Sequence, residues 1–474
     1  MRHNAVRIRT FTTGLLAATM LSACATLPPD APARLAKAPQ SYATAQSLGA
    51  PDRDWPADAW WTAYGDSQLD GLMGEALAGS PSLAVAQARI RKAHASEQHG
   101  RLYPTISANA SAREEKQSYN AGIPAEFVPH GYNDYGRVTL DFSWELDFWG
   151  KNRAAVAALT SQTRAAEADA AEARLMLSTN VAAAYADLAR LYAERDVTAR
   201  ALDVVGETSK LVKSRVDNGL DTLGEQRQAE AEPLQAKADL DAIDEQIALT
   251  RNRLAALAGA GPDRGLTIAR PGVTTLKPLG VPAQIAASLV GRRPDITAAR
   301  WRAEAAVQRI HEAKAEFYPD INLAAFVGVQ ARKLNKLTAS GSDIGAFGPA
   351  VSLPIFNGGH LKANLRGAEA DRDAAVASYD AAVTEAFRQV ADVVASSRSL
   401  QSQVTDSRAA LAASEDAYRI AKLRYQGGLS TYPAVLLAEQ GVLKRRRTVA
   451  DLDARALALD VELVRALGGG FHAS

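Results

Sequence analysis

Residues 138–148 alternate almost perfectly between apolar and polar side chains. The apolar positions are Val138, Leu140, Phe142, Trp144, Leu146 and Phe148, and the polar positions are Thr139, Asp141, Ser143, Glu145 and Asp147. A period of two predicts a β-strand with one apolar and one polar face. The segment is as long as a tilted strand that crosses a membrane, and its acids favour a polar face in contact with water.

Weaker alternation at residues 106–113, 321–330 and 347–355 predicts three further strands. The four predicted strands cover residues 102–114, 135–148, 318–331 and 345–356. Four strands cannot close a barrel with a lumen, and open edges in hydrocarbon leave backbone groups unpaired. If the strands cross a membrane, other subunits must complete the barrel. The alternative interpretation is an amphipathic sheet outside a membrane.

Alanine-rich stretches without proline predict unusually long helices. Alanine is the best helix former, and helices of such length need neighbours packed along them. The long stretches end near Gly219 and Gly428, because glycine tolerates the left-handed conformation that ends helices. A shorter helix returns after each of these glycine turns. The predicted helices cover residues 151–217, 223–258, 359–426 and 432–467.

The chain reads as two halves of similar plan. Gly219-Leu220-Asp221-Thr222 has a counterpart 209 positions later in Gly428-Leu429-Ser430-Thr431. Further pairs of short motifs recur at nearby offsets, so we predict an internal duplication. Each repeat is predicted to hold two strands and one helical hairpin. The fold class is therefore mainly α with a membrane β-barrel portion.

The N-terminus is typical of an exported protein. A positive start precedes a short apolar run at residues 11–18. Leu21-Ser22-Ala23-Cys24 resembles the lipobox of bacterial lipoproteins. This resemblance implies cleavage before Cys24, S-diacylglycerol and N-acyl chains on Cys24, and forwarding to the outer membrane. Cys24 is the single cysteine, which excludes a disulfide within one chain.

The domain boundaries follow from these patterns. The proline-rich stretch after Cys24 predicts an extended tether and not a domain. The predicted segments are a signal peptide 1–23, a lipidated tether 24–59, a first repeat 60–260, a linker 261–282, a second repeat 283–468 and a tail 469–474.

Composition and motifs favour no chemistry. The net charge of +1 gives no argument for a nucleic-acid partner. The seven histidines lack metal-ligand spacing, and no nucleotide loop or nucleophile elbow occurs. We therefore expect no catalytic residue, no metal and no cofactor apart from the lipid on Cys24.

Several motifs together resemble the outer membrane factor family, the trimeric TolC and OprM type of exit duct, and especially its lipoprotein NodT-type branch. They are Phe142 to Gly150 (Phe-Ser-Trp-Glu-Leu-Asp-Phe-Trp-Gly), Arg293 to Ile296, Ala315 to Pro319, Leu353 to Gly359 and Tyr425 to Thr431. The resemblance runs from about Trp60 to Gly468. It implies a homotrimer with a 12-stranded β-barrel and a periplasmic α-barrel. It also implies two partners, a periplasmic membrane-fusion adaptor and an inner-membrane pump, which we expect to be proton-driven.

The resemblance also assigns roles to the glycine turns. They would form the periplasmic gate and touch the adaptor. The expected adaptor contacts are Gly219, Leu220, Gly428 and Leu429, and the expected gate residues are Tyr425, Asp221, Glu225, Leu436 and Leu437. Asp221 and Glu225 are expected one helical turn apart, on one face, as acidic rings or as solvated surface acids. Leu436-Leu437-Ala438 departs from the Leu-Asp-Ala of many relatives and implies a more apolar constriction.

The predicted function is a passive outer-membrane channel subunit of a tripartite efflux system for small molecules. Two alternatives stay open at this point. One is an outer-membrane duct for type I-like protein secretion, and the other is a coiled-coil lipoprotein scaffold without a pore.

Overall fold

The computed structural model describes residues 27–98, 102–273, 280–282 and 285–473. Cys24 and the predicted signal peptide lie outside this range. The helices are α1 Ser67–Gly79, α2 Pro81–Gln98, α3 Lys151–Asp217, α4 Leu223–Leu257, α5 Asp263–Leu266, α6 Ile285–Arg292, α7 Pro294–Ala315, α8 His360–Gln426 and α9 Tyr432–Ala466. The strands are β1 Thr105–Glu115, β2 Asn133–Glu145, β3 Asp320–Arg332 and β4 Asp343–Ser352.

The long helices repeat with one spacing. The helices α3 and α8 each contain 67 residues, and α4 and α9 each contain 35. Both members of each pair begin and end 209 positions apart, the offset that the sequence motifs show. The bounds lie within one residue of the predicted helices. Pro233 lies inside α4, and the helix continues on both sides of this proline.

The chain divides into two compact units. The first, here called the strand unit, comprises the described residues within Met1–Leu35, Arg91–Arg164 and Arg300–Ser378. The second, here called the helical unit, comprises Ala36–Ile90, Ala165–Ala299 and Tyr379–Ser474.

The strand unit contains one antiparallel sheet with the order β1-β2-β3-β4. In its register Leu140 pairs with Ala108 and Val327, and Asp141 pairs with Ser107 and Phe326. Facing partners share a side of a sheet, so apolar side chains collect on one face and most polar ones on the other. The predicted alternation is thus present in the structure. The strands β1 and β4 are the edges.

The helical unit has the largest apolar core. Trp60 and Trp61 are buried there against α1, and their ring centroids lie 5.7 Å apart in an edge-to-face arrangement. Tyr185 of α3 and Leu254 of α4 belong to the same cluster. In the described part of the chain, no helix has the length and apolar composition needed to cross a membrane.

Five helices were not predicted from the sequence, namely α1, α2, α6, α7 and the single turn α5 in the predicted linker. Their short lengths and mixed polarity gave no clear period. The structure places the first four in equivalent positions, because α2 precedes β1 and α7 precedes β3. Each repeat therefore has two additional helices before its first strand.

The predicted tether is not a free chain in its described part. The Ala31 amide donates a hydrogen bond to Glu369 Oε1 at 3.1 Å in the strand unit. In the helical unit Leu48 is buried, and Arg53 Nη1 lies 2.6 Å from Asp460 Oδ1. Backbone groups bound to carboxylates and a buried leucine fix this segment on the helices. Composition alone does not show such contacts, which is why the sequence indicated only an extended tether.

Candidate gate at the hairpin turns

The turn after α3 is closed by backbone hydrogen bonds. The Leu220 amide donates to the Arg215 carbonyl at 2.8 Å, and the Gly219 amide donates to the Val216 carbonyl at 2.9 Å. This pair of bonds forms a Schellman motif, which satisfies carbonyls at a helix end. Gly219 has φ 73°, a conformation that favours glycine.

The turn after α8 has the same construction. The Leu429 amide donates to the Arg424 carbonyl at 2.8 Å, and the Gly428 amide donates to the Tyr425 carbonyl at 3.0 Å. Gly428 has φ 71°. The duplicated sequence motif therefore encodes a duplicated backbone turn.

Three side chains connect the two turns. The Tyr425 hydroxyl donates a hydrogen bond to Asp221 Oδ2, and Arg215 Nε lies 3.0 Å from the same oxygen. Arg215 Nη1 also donates to the Tyr425 carbonyl at 3.1 Å, and its guanidinium carbon lies 4.4 Å from the centroid of the Tyr425 ring. We call Arg215, Asp221 and Tyr425 the tyrosine lock. It holds the end of α8 against the first turn.

Electrostatics favour the charged form of the tyrosine lock. Burial acts to raise the pKa of Asp221, but hydrogen bonds from Arg215 and Tyr425 outweigh it and lower this pKa below its ordinary 3.8. Burial, followed by the bond to Asp221, raises the pKa of Tyr425, so the hydroxyl stays a donor. The stabilisation by Asp221 is therefore present above pH 3.8 and is lost as the pH falls through the lowered value.

An apolar cluster supports the tyrosine lock. Tyr425 and Tyr432 are fully buried, and they pack with residues of all four long helices. The cluster contains Val212, Ala229, Tyr425, Tyr432, Val435 and Leu436. Behind it lies Glu439, whose Oε1 accepts bonds from Thr208 at 3.2 Å and Tyr418 at 3.1 Å.

Two predicted acids differ from the expectation. Asp221 lies before α4, which begins at Leu223, so it does not share a helical face with Glu225. Its side chain is only 6% exposed and is bound in the tyrosine lock. Glu225 forms a capping box with Thr222, and the Thr222 amide donates to Glu225 Oε2 at 2.8 Å. The prediction of paired acids projecting from one face is wrong, because a salt bridge and a helix cap use both carboxylates.

The predicted leucines have different environments. Leu436 is 5% exposed inside the cluster, so within the chain it is a core residue. Leu437 is 74% exposed. The turn residues Leu220 and Leu429 are also exposed, at 64% and 73%. Of the two leucines predicted to form an apolar constriction, only Leu437 projects from the chain.

The sequence interpretation did not find Arg215, Thr222, Tyr432 or Glu439 as parts of this site. Of these residues, Arg215 could have been found by comparing the sequences of the two repeats. Arg215 and Arg424 are equivalent, but Asp221 corresponds to Ser430, whose buried Oγ has no hydrogen-bond partner among the described residues. A charged pair is therefore possible in the first turn and not in the second. No group of residues suited to a metal ion occurs within the described ranges.

The comparisons with known proteins decide the family. The model of the outer membrane efflux protein family matches residues 72–260 and 286–469. The chain belongs to the outer membrane efflux protein family. The two matched segments correspond closely to the two repeats.

Individual members of the family are similar over most of their length. Multidrug resistance outer membrane protein MdtP of Escherichia coli (strain K12) is 31% identical over 464 residues, covering 96% of this chain and 95% of MdtP. Fusaric acid resistance protein FusA of Burkholderia cepacia is 36% identical over 365 residues, covering 75% of this chain and 68% of FusA. The crystal structure of the outer membrane protein VceC of Vibrio cholerae has a TM-score of 0.82 and 46% identity, covering 88% of this chain and all of VceC.

These findings confirm the predicted family, fold class and location. The chain is an outer-membrane efflux channel subunit with a strand portion and a large periplasmic helical portion. The related proteins of the family are channels and not enzymes. A scaffold without a pore is thereby set aside.

Proposed function

We propose that three copies of this chain form a passive duct that carries small molecules from a periplasmic adaptor and pump across the outer membrane. The four-stranded sheet supports the trimer, because its two edges need partners in hydrocarbon. Three sheets of four strands give a closed barrel of twelve. The duct performs no chemistry on its cargo.

The periplasmic mouth is closed in the resting state by the tyrosine lock. Removal of a hydrogen bond to a charged group typically costs about 1.5–3 kcal/mol, which corresponds to roughly tenfold or more in the ratio of closed to open states. The observation that carries this proposal is the joint binding of Asp221 by Arg215 and Tyr425 across the two turns.

The exposed turn leucines are the proposed contacts for the adaptor. Leu220 and Leu429 project beside Gly219 and Gly428 at the ends of the two hairpins. An adaptor with apolar side chains could bind these two leucines, and its binding would then favour opening of the tyrosine lock. Leu437, exposed in the second turn of α9, is the proposed apolar part of the constriction.

Lipid attachment at Cys24 is part of the same proposal. Two or three acyl chains would anchor the start of the chain firmly in the membrane. The anchor leads into the segment that contacts Glu369 of α8. Cys24→Ala should abolish labelling with a radioactive fatty acid, and persistent labelling would contradict the assignment.

Small molecules are the proposed cargo because the related proteins are named for multidrug and fusaric acid resistance. The pump is proposed to be proton-driven. A protein-secretion duct shares the same architecture, and no observation on this chain favours it over efflux.

The gate proposal is tested in bacteria that lack their own efflux channel and express this chain without a pump. Asp221→Asn and Tyr425→Phe should make the cells severalfold more sensitive to a large antibiotic that the outer membrane normally excludes. Glu225→Gln is the matched control, since glutamine also completes a capping box. Equal sensitivity of wild type and both lock variants, at equal amounts of protein in the outer membrane, would contradict a lock at this position.

A further inference from the structure

The polar face of the sheet is ordered by charge along its length. We follow it from the end next to α3 and α8, called here the inner end, to the opposite loop end, called here the outer end. At the inner end the polar face carries Glu145, and Asp320 lies on the neighbouring strand. Asp141 lies four residues further out on the same face.

The inner acids have hydrogen-bond partners, but only one of these partners is a cation. Lys151 Nζ lies 2.5 Å from Glu145 Oε1 and 3.7 Å from Asp320 Oδ2. Asp141 Oδ2 accepts hydrogen bonds from Asn109 at 2.9 Å and from Thr139 at 2.8 Å. The two neutral donors satisfy Asp141 without removing its charge, and one lysine serves two carboxylates. The inner end of the polar face therefore keeps a net negative charge, opposite in sign to the outer end.

The outer end of the same face carries arginines. Tyr135 pairs with Arg113 on one side and with Arg332 on the other, so the three side chains form one row across the sheet. Arg137 lies two residues further in, between Ser111 and Gln330. Adjacent rows on one face are about 7 Å apart. The two rows thus hold three guanidinium groups per chain.

Aromatic rings hold two of these arginines. The guanidinium carbon of Arg113 lies 4.6 Å from the Tyr135 ring centroid, and that of Arg137 lies 5.0 Å from the Phe326 ring centroid. A guanidinium stacked on a ring keeps its N–H groups available for bidentate binding of a carboxylate or phosphate. Ring contact thus orients the charge without neutralising it.

The acids do not cancel the outer charge. Glu115 Oε2 lies 3.0 Å from Arg113, so this arginine is compensated. Within the described ranges, no carboxylate oxygen lies within ion-pair distance of Arg137 or Arg332, and the Asp141 carboxylate attracts Arg137 only from beyond that distance. Arginine stays protonated at every physiological pH. Two permanent positive charges per chain therefore remain on the polar face at the outer end.

We propose that the outer exit of the duct is a selectivity ring for anionic solutes, formed by Arg137 and Arg332 of three subunits with Arg113 beside them. This inference rests on the proposed trimeric duct, in which the polar face lines the lumen. A ring of charges of one sign around a narrow exit concentrates counter-ions at that exit. The favoured cargo carries a carboxylate, sulfonate or phosphate group, and a flat apolar part can lie against Tyr135 and Phe326.

The experiment measures ion selectivity of the purified channel in planar bilayers under a KCl gradient. Arg137→Gln/Arg332→Gln should lower the ratio of chloride to potassium permeability by about twofold or more relative to wild type. Lys336→Gln is the control for charge, because Lys336 lies in the 3-10 turn Leu334–Lys336 at the same end of the sheet. The leucines beside it, Leu334 and Leu337, pack over Gly136 on the apolar face.

Inorganic tripolyphosphate provides a second measurement on the same channels. Added to the chamber that faces the strand loops, it should reduce the wild-type current, and Arg137→Gln/Arg332→Gln should relieve this block. Unchanged permeability ratio and unchanged block in a conducting double variant would overturn the selectivity ring while leaving the duct intact. No current from any variant, including Asp221→Asn, would instead contradict the duct itself.

Discussion

At the scale of single residues, Glu439 is the group with the least favourable environment near the tyrosine lock. It is 2% exposed, and its Oε2 has no hydrogen-bond partner among the described residues. Burial raises its pKa above the ordinary 4.5, although bonds from Tyr418 and Thr208 and the charge of Lys422 oppose this. Glu232 on α4 adds to the increase. An ionised Glu439 therefore destabilises the bundle.

Glu439→Gln should increase thermal stability near neutral pH, because it removes a buried charge with one unpaired oxygen. The contribution of Glu439 to the stability of the wild type is most favourable where Glu439 is protonated, below pH 4.5, and it is lost as the pH rises from there through the raised pKa. The gain should thus be about 1 kcal/mol or more near neutral pH and should shrink towards acid. Thermal unfolding followed by circular dichroism at several pH values measures it. The exposed Glu245→Gln is the control, and a pH-independent gain would contradict this explanation.

At the scale of elements, the repeats explain which features the sequence could predict. Strand β2 has a period of two, and a glycine follows each of α3 and α8. Both features depend only on neighbouring residues, so the bounds of these three elements were predicted with errors of a few residues at most. Strand β4 ends at Ser352, four residues before the predicted end, and Pro354, which lacks an N–H, follows it. Helices α1, α2, α6 and α7 were not predicted, because their formation depends on tertiary packing, which a local pattern does not show.

The pairing of β2 with β3 depends on a glycine. A Cβ on Gly328 would lie 2.1 Å from the Val138 carbonyl oxygen and 2.8 Å from Thr139 Cα. Gly328→Ala should therefore separate the two strands and reduce the yield of membrane-inserted protein. Gly348→Ala on β4 is the matched control, because its Cβ would meet nothing within 4 Å. Heat-modifiable migration in gels measures insertion, and equal insertion of the two variants would refute the close contact.

At the scale of the whole molecule, family membership rests on similarity across both repeats, while the gate rests on a few contacts. The sequence identified Tyr425 and Asp221 through a family resemblance. It could not show that Arg215 binds both, since neither a salt bridge within one turn nor a hydrogen bond between two turns has a periodic signature. It also placed Asp221 and Glu225 on one helix, because the start of α4 depends on the Thr222 cap.

The most direct test of the account is the single-channel conductance of the purified trimer in planar bilayers at neutral pH. We expect wild type and Glu225→Gln to show a small conductance, and Asp221→Asn and Tyr425→Phe to show a severalfold larger one. The increase should follow from the loss of the bonds that Asp221 accepts from Arg215 and Tyr425. Equal conductance of all four proteins would contradict a duct closed by the tyrosine lock.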